Sequence, residues 1–94
     1  MSARAALRPF AGAAGYVTAK AAVIAFVQAL DADYRSQGVR ANAILPSVID
    51  TPANRASMPE SAWARLVPPA RITEVVLWLC SPESAALNGV ELSV

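Results

Sequence analysis

The stretch that most constrains this chain is a long helical stripe running straight into a short apolar strand. Tyr16, Lys20, Val23, Val27, Leu30 and Tyr34 recur at helical spacing. Val17, Ile24 and Phe26 lie off that stripe. The first half of the helix is therefore apolar nearly all round, and such a helix is expected to be buried on most sides. Asp31, Asp33, Arg35, Ser36 and Gln37 then bring it out into water, and Gly38 suits the position just past a helix end. The spacing predicts a helix over 14–37. Val39-Arg40-Ala41-Asn42-Ala43-Ile44-Leu45 comes next as a strand, with an Ile-Leu end that suits burial in a parallel sheet, and Pro46 stops it.

The rest of the chain arranges itself around this pair. Residues 1–13 read as irregular, with Leu7-Arg8-Pro9 opposing helix and Gly12 and Gly15 loosening the approach to residue 16. Ser47 to Pro69 reads mostly as loop, punctuated by prolines, with a short helix at Glu60–Leu66 anchored by Trp63. A second helix is expected over 70–80, with Ile72, Val75, Val76, Leu79 and Cys80 on its apolar face and Trp78 beside it. Ser81 is placed to cap a helical turn at 82–86, Asn88-Gly89 is a turn dipeptide, and 90–94 is a last strand. Helix, strand, long loop, helix, strand is the order of the second half of an α/β fold with parallel strands. Two strands make a poor sheet alone. The 94 residues are accordingly expected to be one partial domain, with an N-terminal half belonging to the same fold.

Composition narrows the function classes. The chain is 55% apolar, more than a domain this small can easily hide, so part of its surface is expected to meet another chain or a missing part of its own fold. Net charge is +1 with no basic run, which argues against nucleic acid. There is no histidine and only one cysteine, Cys80, so neither an internal disulfide nor a Cys/His zinc site is available, and a reducing, cytoplasmic setting is expected. Residues 1–30 carry Arg4, Arg8 and Lys20 but no acid, a leader-like composition. The apolar run Ala21–Val27 is too short for a membrane span and passes into Gln28, Asp31 and Asp33, so it reads as buried helix.

Tyr16 and Lys20 lie one helical turn apart on one face. An ammonium a few ångströms from a phenol favours the ionised form, which suits a group that gives and takes a proton. The bland alternative is a half-buried ring with a lysine stem lying over it.

The setting resembles one family. Tyr16-x-x-x-Lys20 at the head of a long apolar helix, Gly38-Val39-Arg40-Ala41-Asn42-Ala43-Ile44, Pro46-Ser47-Val48-Ile49-Asp50-Thr51-Pro52 and Asn88-Gly89-Val90 together resemble the short-chain dehydrogenase/reductase family. The resemblance implies the C-terminal half of a doubly wound, Rossmann-type parallel sheet. It implies an oxidoreductase that uses NAD or NADP on a small-molecule carbonyl or alcohol, or on a pteridine-like ring, and is not bound to a membrane. By the match, Tyr16 is the acid/base, and Lys20 holds the cofactor ribose and favours the phenolate. Pro46, Ser47, Val48, Ile49 and Thr51 belong to the cofactor loop. The backbone near Val48 and Ile49 and the Thr51 hydroxyl would hold the nicotinamide carboxamide. Asp50-Thr51-Pro52-Ala53-Asn54-Arg55 looks like the same stretch in dihydropteridine reductases. Asn42 is structural by the same match. The surplus apolar face of helix 14–37 suits the homo-oligomer interface that the family often builds there.

Two departures qualify this. The family's catalytic serine usually stands thirteen residues before the tyrosine, where this chain has Ala3, with Ser2 one residue further back. An offset of one in an extended segment turns a side chain to the other face, so Ser2 replaces that serine only if the segment shifts. The four glycines, Gly12, Gly15, Gly38 and Gly89, form no G-x-x-x-G-x-G or G-x-G-x-x-G, so a pyrophosphate cradle is missing from these residues. Two functions are compatible with this pattern. The chain supplies the acid/base and substrate side of a dehydrogenase, or it is a truncated, inactive remnant that at most associates through helix 14–37. Arg55 reads as a solvated charge or loop clamp, with orientation of a substrate as the alternative; Trp63 and Trp78 read as core or interface, with a substrate-lid role the alternative for Trp63; and Cys80 reads as a buried apolar residue.

Overall fold

In the computed structural model, which describes residues 1–94, helix α1 spans Ala14–Tyr34, and a 3-10 turn at Arg35–Gln37 carries it to Gly38. Gly38 takes φ 78°, the left-handed conformation that ends helices and that glycine adopts without strain. The expected reach to residue 37 is thus met, with a tightened last turn. The burial expected for α1 is not met: only Ile24 and Asp31 are buried, and Phe26 is 63% exposed. One face of the helix meets the sheet and the short 3-10 turn Arg4–Ala6; nothing in the chain covers the rest.

Strand β1 is Ala43–Leu45 and β2 is Glu91–Ser93. They pair in parallel, Ala43 with Glu91, Ile44 with Leu92 and Leu45 with Ser93. The expected strand at 39–45 is thus shortened to its apolar end. Residues 40–42 are instead tied by side chains to the turn before β2. The Ala41 amide donates to Asn88 Oδ1 at 3.0 Å, Asn42 Nδ2 donates to the Leu87 carbonyl at 3.1 Å, and the Val90 amide donates to Asn42 Oδ1 at 3.2 Å. Asn42 is therefore structural, as expected. Arg40 works beside it: its guanidinium donates to the carbonyls of Leu79 at 2.7 Å and Ser84 at 3.0 Å, which fastens the end of α3 (Pro69–Leu79) to the segment leading into β1.

The N-terminal segment is not simply irregular. The Ser2 amide donates to the Ile44 carbonyl at 2.9 Å, and the Arg4 amide to the Pro46 carbonyl at 3.0 Å. A step of two residues on both sides is a parallel pairing, so residues 2–4 lie along the edge of β1 opposite β2. Alternation along β1 then sorts the layers. Ala43 and Leu45 form a small core with Ile24 of α1, while Ile44 lies with Val76 and Leu79 of α3. All three β1 residues are buried, as a strand covered on both faces requires.

Two further elements sit in the expected loop. Helix α2, Pro52–Ala56, stands inside the stretch read mostly as loop, though Thr51-Pro52 carries its signal: a threonine N-cap followed by proline at the first helical position. The short helix expected at 60–66 is a 3-10 helix at Glu60–Arg65 with Trp63 in it. Ser81 heads the turn Pro82–Ser84 without capping it; its hydroxyl donates back to the Trp78 carbonyl at 2.6 Å. Gly89 has φ 68°, and a Cβ there would lie 2.6 Å from Oδ2 of buried Asp31, so both backbone and neighbour require glycine. Only 13 of 94 residues are buried, and Leu77 and Trp78 stand exposed on α3. The fold is thus the part of a layered sheet that the order of elements implied, with apolar surface left uncovered. No helix is long and apolar enough to cross a membrane.

Candidate active site

At the carboxyl end of β1 the chain forms a cleft of about 660 Å³. Open α/β sheets bind ligands at this edge, because the loops there diverge from the strand ends. Tyr16 and Lys20 enter from the first turns of α1, and Pro46, Ser47, Val48 and Ile49 from the loop after β1. Ser2 and Ala3 come from the edge segment. The edge segment, the head of α1 and the loop after β1 thus share one cavity.

Lys20 Nζ lies 5.8 Å from the centre of the Tyr16 ring, within reach of a cation–π attraction. The phenol is half-exposed and meets the cleft. Ser2 is buried, and its hydroxyl donates to the Lys20 main-chain carbonyl at 2.6 Å. Its proton is engaged there, so Ser2 braces α1 at the lysine. A hydroxyl at Ala3 would occupy the next face of the same extended segment (Ala3 φ −153°, ψ 151°).

The loop after β1 is partly committed. The Ser47 amide donates to the Val94 carbonyl at 2.9 Å, Val67 donates to the Val48 carbonyl at 2.8 Å, and Asp50 donates to the Val67 carbonyl at 2.8 Å. Pro46 is buried and its carbonyl is taken by Arg4. The amides of Val48 and Ile49 have no intramolecular acceptor, and both residues line the cleft. Thr51 stands outside the wall as the N-cap of α2, its Oγ accepting from the Asn54 amide at 3.2 Å while its own proton remains available. Sequence reasoning misses Asn54, Arg4, Arg8 and Phe10 as lining residues. Asn54 has a signal in its place three residues after a threonine cap; its Nδ2 donates to the Ile49 carbonyl at 2.7 Å and holds the loop.

Arg55 is a loop clamp. It grips Asp50 with two hydrogen bonds, Nε to Oδ1 at 2.5 Å and a second guanidinium nitrogen to Oδ2 at 2.6 Å, and lies over the Trp63 ring at 4.8 Å. The Trp63 Nε1 donates back to the Arg55 carbonyl at 3.3 Å. Hydrogen bonding from Arg55 holds the Asp50 carboxyl below the usual carboxylate range. A carboxyl depressed in the folded state contributes stability above its unfolded value, about 3.9, and loses it as pH falls through the folded value. The clamp is therefore expected to be intact at neutral pH and down to about pH 4, and to open only below. An NMR titration of the Asp50 carboxyl and the Trp63 indole checks this; a midpoint at or above the ordinary value contradicts it. Cys80, expected in the core, is exposed, because α3 ends there and a second cavity opens beside Arg40 and Asn42. No cluster of acidic or cysteine side chains in the chain is arranged to hold a metal.

Comparison with known proteins agrees with this fold. The family model described as Enoyl-(Acyl carrier protein) reductase matches residues 1–94. The 3-oxoacyl-(acyl-carrier-protein) reductase of Vibrio cholerae is 36% identical over 92 residues, covering 89% of this chain and 38% of the relative. The 3-beta-hydroxysteroid dehydrogenase of Comamonas testosteroni is 37% identical over 94 residues, covering 84% of this chain and 37% of the relative. Among solved structures, a short chain dehydrogenase from Bacillus anthracis superposes with TM-score 0.80 at 34% identity, over 100% of this chain and 39% of its own. A 3-ketoacyl-(acyl-carrier-protein) reductase from Brucella melitensis, complexed with NADH, superposes with TM-score 0.83 at 29% identity, over 99% and 40%. The chain spans a little over a third of the length of the curated relatives it matches.

Proposed function

The chain belongs to the short-chain dehydrogenase/reductase family, and on that footing we propose that it supplies the proton-transfer and substrate side of a nicotinamide-dependent oxidoreductase. The observation that carries this reading is the cleft itself: one strand-end cavity holds Tyr16, Lys20 and the loop Pro46–Ile49 together. The Tyr16 hydroxyl gives a proton to a carbonyl oxygen in reduction, or takes one from an alcohol in oxidation. Lys20 holds its positive charge over the Tyr16 ring one turn away and, as the resemblance implies, is placed to hold the cofactor ribose. Ser2 keeps Lys20 in place through its main-chain carbonyl. The acceptor-free amides of Val48 and Ile49 fit the carboxamide of a nicotinamide, and Thr51 has a hydroxyl proton to add. That ring, when bound, supplies or accepts the hydride. NAD and NADP fit these residues equally, since the groups that tell them apart lie outside this half of the fold.

The residues present fit the nicotinamide end of such a cofactor and not its pyrophosphate, for which no glycine-rich turn occurs in the 94 residues. Titration of the 94-residue chain with reduced cofactor, followed by cofactor fluorescence, is therefore expected to show no saturable binding. Micromolar binding would overturn this division of labour. A second reading has its own support. The uncovered apolar face of α1, with Phe26 63% exposed, suits association with a second copy or with the other half of the fold. In that reading the chain acts as an inactive association module. Turnover by a protein containing residues 1–94, abolished by substitution of Tyr16, excludes it.

A further inference from the structure

Three of the chain's eight basic residues line the cleft, Arg4, Arg8 and Lys20, and none of its seven acidic residues does. Arg4 and Arg8 are exposed, and neither side chain makes a salt bridge or a hydrogen bond within the chain. The contrast with other arginines is specific. Arg35, Arg55 and Arg71 are paired with Asp31, Asp50 and Glu74, and Arg40 is spent on carbonyls. Arg65 is also free but lies outside the cleft.

Arg4 and Arg8 stand one turn apart, joined by an Arg8 amide bond to the Arg4 carbonyl at 3.0 Å, so both guanidinium stems rise from one short turn beside Ala3. Phe10, 61% exposed, and Val48 add apolar surface to the same cavity. A cavity that collects unpaired cations with low-dielectric walls concentrates anions of matching shape. The leader-like, acid-free composition of residues 1–30 thus has a structural meaning: it keeps this wall positive.

We propose that the substrate of this cleft is an anion, a carbonyl or alcohol compound whose apolar body ends in a carboxylate held by Arg4 and Arg8. This rests on the reading of Tyr16 as the proton-transfer group. A carboxylate and a cofactor phosphate share the oxyanion chemistry that arginine forks recognise, and we assign the arginines to the substrate because they line the same cleft as Tyr16, on the wall that carries Ala3.

The test uses the isotopically labelled 94-residue chain and three probes: 4-formylbenzoate, its neutral methyl ester, and 2′,5′-ADP. Amide shifts of Val48, Ile49 and Tyr16 report binding. The carboxylate is expected to bind about tenfold more tightly than the ester, as hydrogen bonds to charged groups allow. The double variant Arg4→Gln, Arg8→Gln is expected to lose that advantage and leave ester binding unchanged. Equal binding of carboxylate and ester in the cleft overturns the proposal while leaving the substrate-site reading standing. Failure of both to shift these amides overturns the two together. If the double variant weakens 2′,5′-ADP and not the carboxylate, the arginines serve a cofactor phosphate and the proposal falls.

Discussion

Tyr16→Phe, introduced into a catalytically competent protein containing these residues, is expected to lower turnover by about a thousandfold, within the range that positioned acid–base groups contribute. The substitution removes one oxygen and leaves the ring. The 5.8 Å approach of Lys20 to the ring centre survives, because it depends on the aromatic face and the helical spacing. The chain has no histidine, and the Ser2 proton is engaged at the Lys20 carbonyl, so neither stands in for the lost hydroxyl. Cofactor affinity is expected to change little, since the groups proposed to meet the cofactor are the Val48 and Ile49 amides, the Thr51 hydroxyl and Lys20, none of which the substitution removes. Steady-state rates and cofactor fluorescence, measured on the same preparation, check both halves of the statement.

Leu45→Ala is expected to destabilise the fold by about 2–5 kcal/mol, the range for emptying a leucine site in a packed core. Leu45 is fully buried and forms the core with Ile24 and Ala43. Its carbonyl also accepts from Val94, at the point where β1 and β2 run toward the cleft. A chain of this size has about 5 kcal/mol to lose if it lies at the low end of the usual scale per residue, and a core this small places it there. Urea unfolding followed by far-UV circular dichroism is expected to show a midpoint moved sharply down, or no cooperative transition. An unchanged midpoint would mean that the small core does not hold the sheet together.

The elements with local chemical signals are legible in the sequence. Gly38 announces the end of α1, Pro46 the end of β1, and Asn88-Gly89 the turn into β2. The i, i+4 spacing of Tyr16 and Lys20 by itself puts them on one helical face. The features that depend on distant neighbours stay hidden. The pairing of residues 2–4 with β1 needs carbonyls some forty positions away, and no local pattern marks so short an edge. The apolar character of α1 points to burial, yet hydrophobicity states only that a face seeks cover, not that this chain provides it. Arg4 and Arg8 look like leader composition until the fold brings them to Tyr16. Arg55 is a clamp, one of the roles its sequence setting offers, but its partners Asp50 and Trp63 become visible only in the folded chain.

In the proposed mechanism Tyr16 moves the proton, while Lys20 serves both the tyrosine and the cofactor. The decisive comparison sets Tyr16→Phe beside Lys20→Ala in the competent protein, with turnover and cofactor affinity determined for each. The predicted result is a split: Tyr16→Phe loses turnover with affinity kept, and Lys20→Ala loses both. Turnover that survives in Tyr16→Phe, or cofactor affinity untouched in Lys20→Ala, would contradict it.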